Sequence, residues 1–393
     1  MSLDFSPTEE QEEIRALAHN FAEKEIRPVA ADYDEREETP WEVIRKAQEL
    51  GLGAASSLPT QYGGGGLDPV TQLLVTEELA WGDAGIAVSI SASALAGAGI
   101  MAMGTEEQKA RYLGLLCDPK TVRLGAMGLT EPESGSDSLA LRTTAQRVDG
   151  GYLLNGTKQF CTNGGIANVQ VVFATLDRSL GPEGVTAFVV EKGNPGMRQG
   201  RKERKLGVRA SHTAQVILED CFVAEEAQLG FDATGKSQGP GSSGAMAMLE
   251  ATRPGVAAGA LGIARAAFEY ARDYSLQRQQ FGKAIANHQA IAFKLADMAT
   301  EIDATRLLIW RAGWLASEGR GFPRAEGSMA KLMAGDVAMR VTVEAVQILG
   351  GYGYMKDYPV ERWMRDAKIY QIWEGTAEIQ RLVIARAVLG IRV

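Results

Sequence analysis

Apolar residues in the first third of the chain recur at helical spacing, with Ile14, Leu17, Phe21 and Ile26 following one another along one stripe. Ser6-Pro7-Thr8-Glu9 precedes them and reads as a helix start, with a capping hydroxyl, a proline in the first turn and an acid behind it. Gly51-Leu52-Gly53 and the glycines at 63–66 punctuate the pattern, which resumes over residues 73–79 and 106–116. From about Thr121 the period shortens to two. Residues 143–148 alternate and end at Asp149-Gly150, and residues 152–154 lead to Asn155-Gly156, two hairpin signals in succession. Residues 169–174, 185–191 and 214–218 are further β-branched runs. After Phe231-Asp232 a Gly/Ser/Pro-rich loop extends to Gly244, and long helical patterns return beyond it. Leu295, Met298, Ile302 and Ile309 share one face there, with Glu301 and Arg306 off it. Segregated helices, strands and helices predict an α+β fold: a helical domain over 1–120, a central β-barrel or sandwich over 121–230 and a helical bundle domain over 231–393.

Composition narrows the function classes. A chain of 393 residues, 45% hydrophobic and 23% charged, is long enough for several cores and polar enough to be globular. Its 41 basic and 49 acidic residues give a net charge of -8 with no basic block, so nucleic acid is not an expected partner. Cys117, Cys161 and Cys221 are scattered and odd in number, which points to a reducing compartment, the cytoplasm by default, and offers neither a disulfide framework nor a metal knuckle. His19, His212 and His288 are isolated, so no metal is expected. The first residues lack a targeting pattern, and no stretch is read as reaching the ~18 uncharged apolar residues of a membrane span.

Two glycine motifs are rejected on context. The string from Gly230 to Ser237 fits a phosphate loop letter for letter, but Gln238-Gly239-Pro240-Gly241 follows where a helix would have to begin. Gly97-Ala98-Gly99-Ile100-Met101-Ala102 loosely fits a dinucleotide fingerprint, and close helix packing explains its small residues better. Three other segments carry more chemistry. Residues 129–137, Leu-Thr-Glu-Pro-Glu-Ser-Gly-Ser-Asp, present hydroxyls and turn formers at the mouth of the β-domain. Arg278-Gln279-Gln280-Phe281-Gly282, with His288-Gln289, places a cation, amides and a ring within two helical turns or a helix-turn junction, a clamp suited to a diphosphate. Tyr370-Gln371-Ile372-Trp373-Glu374-Gly375-Thr376 sets one carboxylate among apolar residues, where burial strengthens a base.

These segments, with Phe160-Cys161-Thr162-Asn163-Gly164-Gly165, Arg253-Pro254, residues 347–353, Met364-Arg365-Asp366-Ala367 and Gln380-Arg381, resemble the acyl-CoA dehydrogenase family over nearly the whole chain. The resemblance is to its medium-chain and short-chain branches. It implies a helical, β, helical fold whose last domain is like a four-helix bundle, non-covalent FAD, and a homotetramer, a dimer of dimers, in which FAD is shared between two subunits. It also implies α,β-dehydrogenation of an acyl-CoA thioester to the trans-2-enoyl-CoA, as in fatty acid β-oxidation, with electrons leaving to an electron-transferring flavoprotein. By that resemblance Glu374 is the base that takes the α-proton while flavin N5 takes the β-hydride. Leu129, Thr130, Ser136, Phe160 and Thr162 match flavin-contacting positions, and Thr376 and Glu378 lie beside the cofactor. Arg278, Phe281, Gln289, Gln347, Ile348, Gly350 and Gly351 would hold the diphosphate and adenosine end from the neighbouring subunit. Ser136, Glu250, Arg253 and Gly375 match positions facing the substrate.

Some relatives carry their base at the position that is Thr252 here, and threonine cannot do that chemistry, which supports Glu374. Phe160-Cys161-Thr162 replaces the family's usual Trp-Ile-Thr, Glu133-Ser134 replaces a Gly-Ala-type pair, and the loop at 231–241 is longer than in close relatives. Ala87 and Ser91, both small, match the floor of the acyl pocket and imply room for a straight chain of roughly 6–10 carbons. The alternatives are a flavin-dependent oxidase or monooxygenase on the same fold, and a binding homologue without catalysis.

Overall fold

The computed structural model describes residues 5–231 and 241–391. The phosphate-loop string beyond Phe231 and most of the 231–241 loop lie outside the described residues.

Seven helices come first: α1 (Glu9–Phe21), α2 (Ala30–Arg36), α3 (Trp41–Glu49), α4 (Pro69–Gly82), α5 (Ala84–Ser91), α6 (Ser93–Met103) and α7 (Glu106–Leu116). The cap of α1 is Thr8, in a reciprocal capping box with Gln11, and not Ser6; Pro7 therefore precedes the helix instead of occupying its first turn. The α5–α6 segment corrects the reading of membrane spans, because Ala84–Met103 is 20 residues long and apolar enough to cross a membrane. Its apolar side chains have other partners. Ile86, Ala87 and Ile90 pack into the core shared by the helical regions, and Ala96, Ile100 and Met103 pack against the sheet. The glycines at 97 and 99 serve close packing as expected, with Gly97 set against the Leu58 side chain.

The middle of the chain forms one seven-stranded sheet from β1 (Gly125–Gly128), β2 (Thr144–Val148), β3 (Gly151–Thr162), β4 (Val169–Thr175), β5 (Val185–Glu191), β6 (Met197–Lys202) and β7 (Thr213–Ala224). One edge of β4 pairs along its length with antiparallel β5, and the other is shared by parallel β1 and the end of β2. The sheet continues from β2 through β3 and β7 to β6, all antiparallel. Val169, Val171 and Phe173 face α6 and α7, whereas Val172 and Ala174 face Leu154, Val216 and Val223 across the curled sheet. Burial on both faces is why β4 and β5 read as nearly continuous apolar runs, with Gln170 and Thr186 as the polar residues inside them. Asn155-Gly156 is not a second hairpin. β3 runs straight through it, and the pairing with β7 shifts register there, so the turn signal is absorbed as a bulge. Gly156 is required because a Cβ would lie 2.4 Å from Thr143 Oγ1.

The last third is helical again: α8 (Gly241–Gln277), a short hairpin of β8 (Gln279–Gln280) and β9 (Lys283–Ala284), α9 (Gln289–Ser317), α10 (Glu326–Leu349), α11 (Val360–Ala367) and α12 (Ala377–Leu389). Helix α8 starts at Gly241, so the last four residues of the loop expected to reach Gly244 are helical. On α9, Met298, Ile302 and Ile309 are buried as the pattern required, but Arg306 turns inward to pair with Glu77 of α4. One core joins the two helical regions, running from Phe21 and Leu79 through Leu261 and Ile302 to Trp363.

Candidate active site

Helix α11 runs into a 3₁₀ turn over Lys368–Gln371, and the chain then reverses before α12. The reversal uses two consecutive left-handed residues, Glu374 at φ 55° and Gly375 at φ 91°. Glycine suits the second position, where a Cβ would meet Gln380 Nε2 at 2.5 Å. A glutamate in the left-handed region carries about 1–3 kcal/mol of strain and persists only where its surroundings hold it. Thr376 then caps α12 by accepting from the Ile379 amide at 3.3 Å.

The Glu374 carboxylate is partly buried and points to α8, where Thr252 Oγ1 donates to Oε2 at 3.0 Å. Burial pushes its pKa above the usual carboxylate range, against the opposing pull of the Thr252 bond and the charges of Lys331 and Arg253. Arg253, buried on α8, donates to Ser328 Oγ of α10 at 2.8 Å and leaves its Nε without a partner among the described residues. Glu250 lies one turn earlier on α8, partly buried. Lys331 and Gln380 bind the backbone of the turn itself, Lys331 Nζ reaching the Gly375 carbonyl at 2.6 Å and Gln380 Nε2 reaching it at 2.9 Å. The role of Lys331 escaped the sequence reading. The signal was a lone lysine among the small residues of α10, next to Ala330 and one turn from Ala334 and Gly335.

A second group forms on the sheet. The Gln159 amide donates to the Thr130 carbonyl at 2.8 Å, which ties the 129–137 segment to β3. Beneath them Lys158 and Glu131 form a buried ion pair at 2.6 Å, and Glu131 also accepts from the Arg142 and Thr143 amides. Leu129 is buried, Thr130 and Thr162 are partly buried, and Ser136 is exposed. Phe160 takes a left-handed φ of 56° in a bulge between Lys158 and Cys161 and stands 64% exposed, a free aromatic face.

A third group lines a cleft of ≈450 Å³ that includes Arg278, Gln280, Ile348, Gly350, Gly351 and Tyr352. Arg278 lies over the Tyr352 ring and has no carboxylate partner among the described residues. The segment expected as helical turns or a helix-turn junction follows directly on the end of α8 at Gln277 and forms the β8–β9 hairpin, with Phe281 and Gly282 both at positive φ as a two-residue turn needs. Phe281 is 93% exposed at its tip, and Gln289 at the start of α9 and Gln347 near the end of α10 are exposed. Thr376 and Glu378 border a separate depression of ≈360 Å³ with Asp336, Lys368 and Arg381. Ala87 is buried on α5, and Ser91 Oγ donates back to the Ala87 carbonyl at 2.9 Å.

Family models describing the N-terminal, middle and C-terminal domains of acyl-CoA dehydrogenases match residues 8–120, 126–221 and 239–389. The chain belongs to the acyl-CoA dehydrogenase family. An acyl-CoA dehydrogenase of Bacillus subtilis is 47% identical over 384 residues, 98% of this chain and 99% of that protein. The butyryl-CoA dehydrogenase of Megasphaera elsdenii has a TM-score of 0.92 at 44% identity, over 98% of this chain and 100% of that one. A chain solved in work on the electron transferring flavoprotein of Acidaminococcus fermentans and flavin-based electron bifurcation has a TM-score of 0.93 at 45% identity, with coverage of 98% and 100%. As a member of the acyl-CoA dehydrogenase family the protein is an oxidoreductase, and FAD is its cofactor; a related glutaryl-CoA dehydrogenase of Mycobacterium smegmatis is solved with FADH2. The residues fit that cofactor: an uncompensated Arg278 beside Gly350 and Gly351 suits a diphosphate, and the exposed Phe160 ring beside Thr162 suits a flat ring system.

Proposed function

We propose that this acyl-CoA dehydrogenase removes the α-proton of its thioester substrate with Glu374 and releases the trans-2-enoyl-CoA. The carrying observation is a carboxylate, partly buried and raised in pKa, held by one hydrogen bond from Thr252 on a different helix. A carboxylate that is poorly solvated is a stronger base, and substrate that displaces water around it strengthens the effect. FAD, when bound, supplies the acceptor for the β-hydride. Leu129, Thr130, Phe160 and Thr162 would orient the ring system, with Thr376 and Glu378 beside it, while Arg278, Phe281, Gln289 and residues 347–351 would grip the diphosphate and adenosine end. Ser136, Glu250, Arg253 and Gly375 would face the CoA portion and the thioester, and Ala87 and Ser91 the acyl chain.

The same reading extends to a homotetramer in the cytoplasm, acting in fatty acid β-oxidation and passing electrons to an electron-transferring flavoprotein. Its substrate is a straight acyl chain of short to medium length: the butyryl-CoA specificity of a close relative favours the short end, and the small Ala87 and Ser91 leave room above it. Anaerobic bleaching of the flavin across a panel of acyl-CoA thioesters fixes the length, and hydrogen peroxide formation in air would mark an oxidase instead.

The deciding variant is Glu374→Gln, which keeps shape and hydrogen bonding and loses the proton acceptor. It should fold, stay yellow and bind acyl-CoA, while flavin reduction slows at least ~100-fold. A near wild-type rate in folded, flavin-loaded Glu374→Gln, read by stopped flow at saturating substrate, overturns the assignment.

A further inference from the structure

Two buried polar side chains with no part in that chemistry converge on the backbone that carries Glu374. Lys331 is 1% exposed and its ammonium donates to the Gly375 carbonyl at 2.6 Å. Gln380, in the first turn of α12, is fully buried and donates to both the Glu374 and the Gly375 carbonyls, at 3.2 and 2.9 Å. The bonds therefore fall on the two residues with left-handed φ, and they arrive from two helices. Helix α10 is pressed onto the segment leading into this turn, since a Cβ at Gly335 would lie 2.9 Å from the Tyr370 carbonyl oxygen. Burying an ammonium and an amide is unfavourable unless each finds strong acceptors, and the acceptors here are the carbonyls of a strained turn.

We infer that Lys331 and Gln380 are positioning residues for the reaction: both hold the Glu374-Gly375 turn in its left-handed form, and the Lys331 charge sets the pH at which the Glu374 carboxylate becomes a base. The inference rests on Glu374 being that base. Charged groups facing the carboxylate are Lys331 from α10 and Arg253 from α8, with Thr252 as its hydrogen-bond donor. Those facing the ammonium are Glu374, Arg253, Asp336 on its own helix and Glu378 from α12. Burial pulls Lys331 down to about 8, so the cation is present at pH values below that. A nearby cation favours the ionised carboxylate, and its loss leaves Glu374 protonated to higher pH.

The test is the pH dependence of kcat and kcat/KM for flavin-loaded wild type, Lys331→Met, Lys331→Arg and Gln380→Leu, with Glu374→Gln alongside. Lys331→Met should move the acid limb upward by about one pH unit and lower kcat at least ~10-fold with little change in KM, because Lys331 orients the base and does not touch substrate. Lys331→Arg keeps the charge and should leave the acid limb in place. Gln380→Leu loosens the turn without removing charge, so kcat should fall with the limb unmoved. An unmoved limb in Lys331→Met overturns the inference, as does an unchanged kcat in Gln380→Leu. If Lys331→Met does not fold, a shifted limb in Lys331→Arg overturns it. Full activity in Glu374→Gln instead removes the base assignment itself, so the two failures are separate.

Discussion

Glu374 and Thr252 show how much one side-chain contact can decide. They lie 122 residues apart, yet the hydroxyl is the carboxylate's one hydrogen-bond donor among the described residues and pulls its pKa down against burial. Hydrogen bonds to charged groups are worth about 1.5–3 kcal/mol, which corresponds to roughly one or two pKa units. Thr252→Val, similar in shape, should therefore shift the acid limb of kcat/KM upward by about one unit while the rate well above that limb changes little. An unshifted pH profile in the folded, flavin-loaded variant would mean that the bond is not kept when substrate is bound. The proposed base stands out in the sequence because it sits in a local string, Trp373-Glu374-Gly375-Thr376, whose glycine and threonine announce a turn and a helix cap. Its supports were not, since nothing local to Thr252 or Lys331 says which turn they face.

At the level of elements, short patterns were misread where tertiary contacts reassigned them. Asn155-Gly156 has the composition of a hairpin and became a bulge because β3 is paired on both sides, with β2 and with β7. Arg278-Gln279-Gln280-Phe281-Gly282, expected within two helical turns or at a helix-turn junction, follows the end of α8 at Gln277 as a hairpin, which carries Phe281 out to 93% exposure and leaves Arg278 lining the cleft with Gly350 and Gly351. If this element grips a FAD diphosphate across a subunit boundary, Arg278→Ala removes charge and fork geometry together and should release flavin and weaken the assembly. Flavin absorbance per chain and mass by light scattering report the two effects independently. Full flavin occupancy in an assembly of unchanged mass would show that Arg278 does neither.

For the whole molecule, one junction joins the three regions of the chain. Asp83, between α4 and α5, pairs with Arg362 of α11 at 3.1 Å and accepts from the Ile86 amide, while Asp366 of α11 accepts from the Val208 amide of the segment before β7. Both carboxyls are buried, and burial together with the charge of Asp83 pushes Asp366 up to about 8. Below about pH 4 folded and unfolded chains both hold this proton; from there to about 8 the unfolded chain releases it and the folded chain keeps it, so folding becomes less favourable as pH rises. Asp366→Asn keeps the oxygen for Val208 and removes that titration. Its Tm should fall less between pH 5 and 8 than that of wild type and should be higher at pH 8 by a few degrees, on the scale of ~2–4 °C per kcal/mol for large domains. Parallel Tm curves for the two proteins would show that Asp366 is ionised in the fold.

The sequence by itself determined which segments are helix and which are strand over most of the chain, and it held the proposed base, the proposed diphosphate-clamp segment and the hydroxyl-rich loop as local strings, because periodicity, caps and turn residues act within a few positions. Only the tertiary structure decided how those segments were used. The uncharged run at 84–103 could have served a membrane, and it became two packed helices because one half found the helical core and the other the sheet. Likewise the pKa of Glu374 is raised by burial and pulled back by a threonine and an arginine on α8 and a lysine on α10, while a glutamine on α12 holds its backbone, and the energy of a buried charge depends on such neighbours and not on its place in the chain.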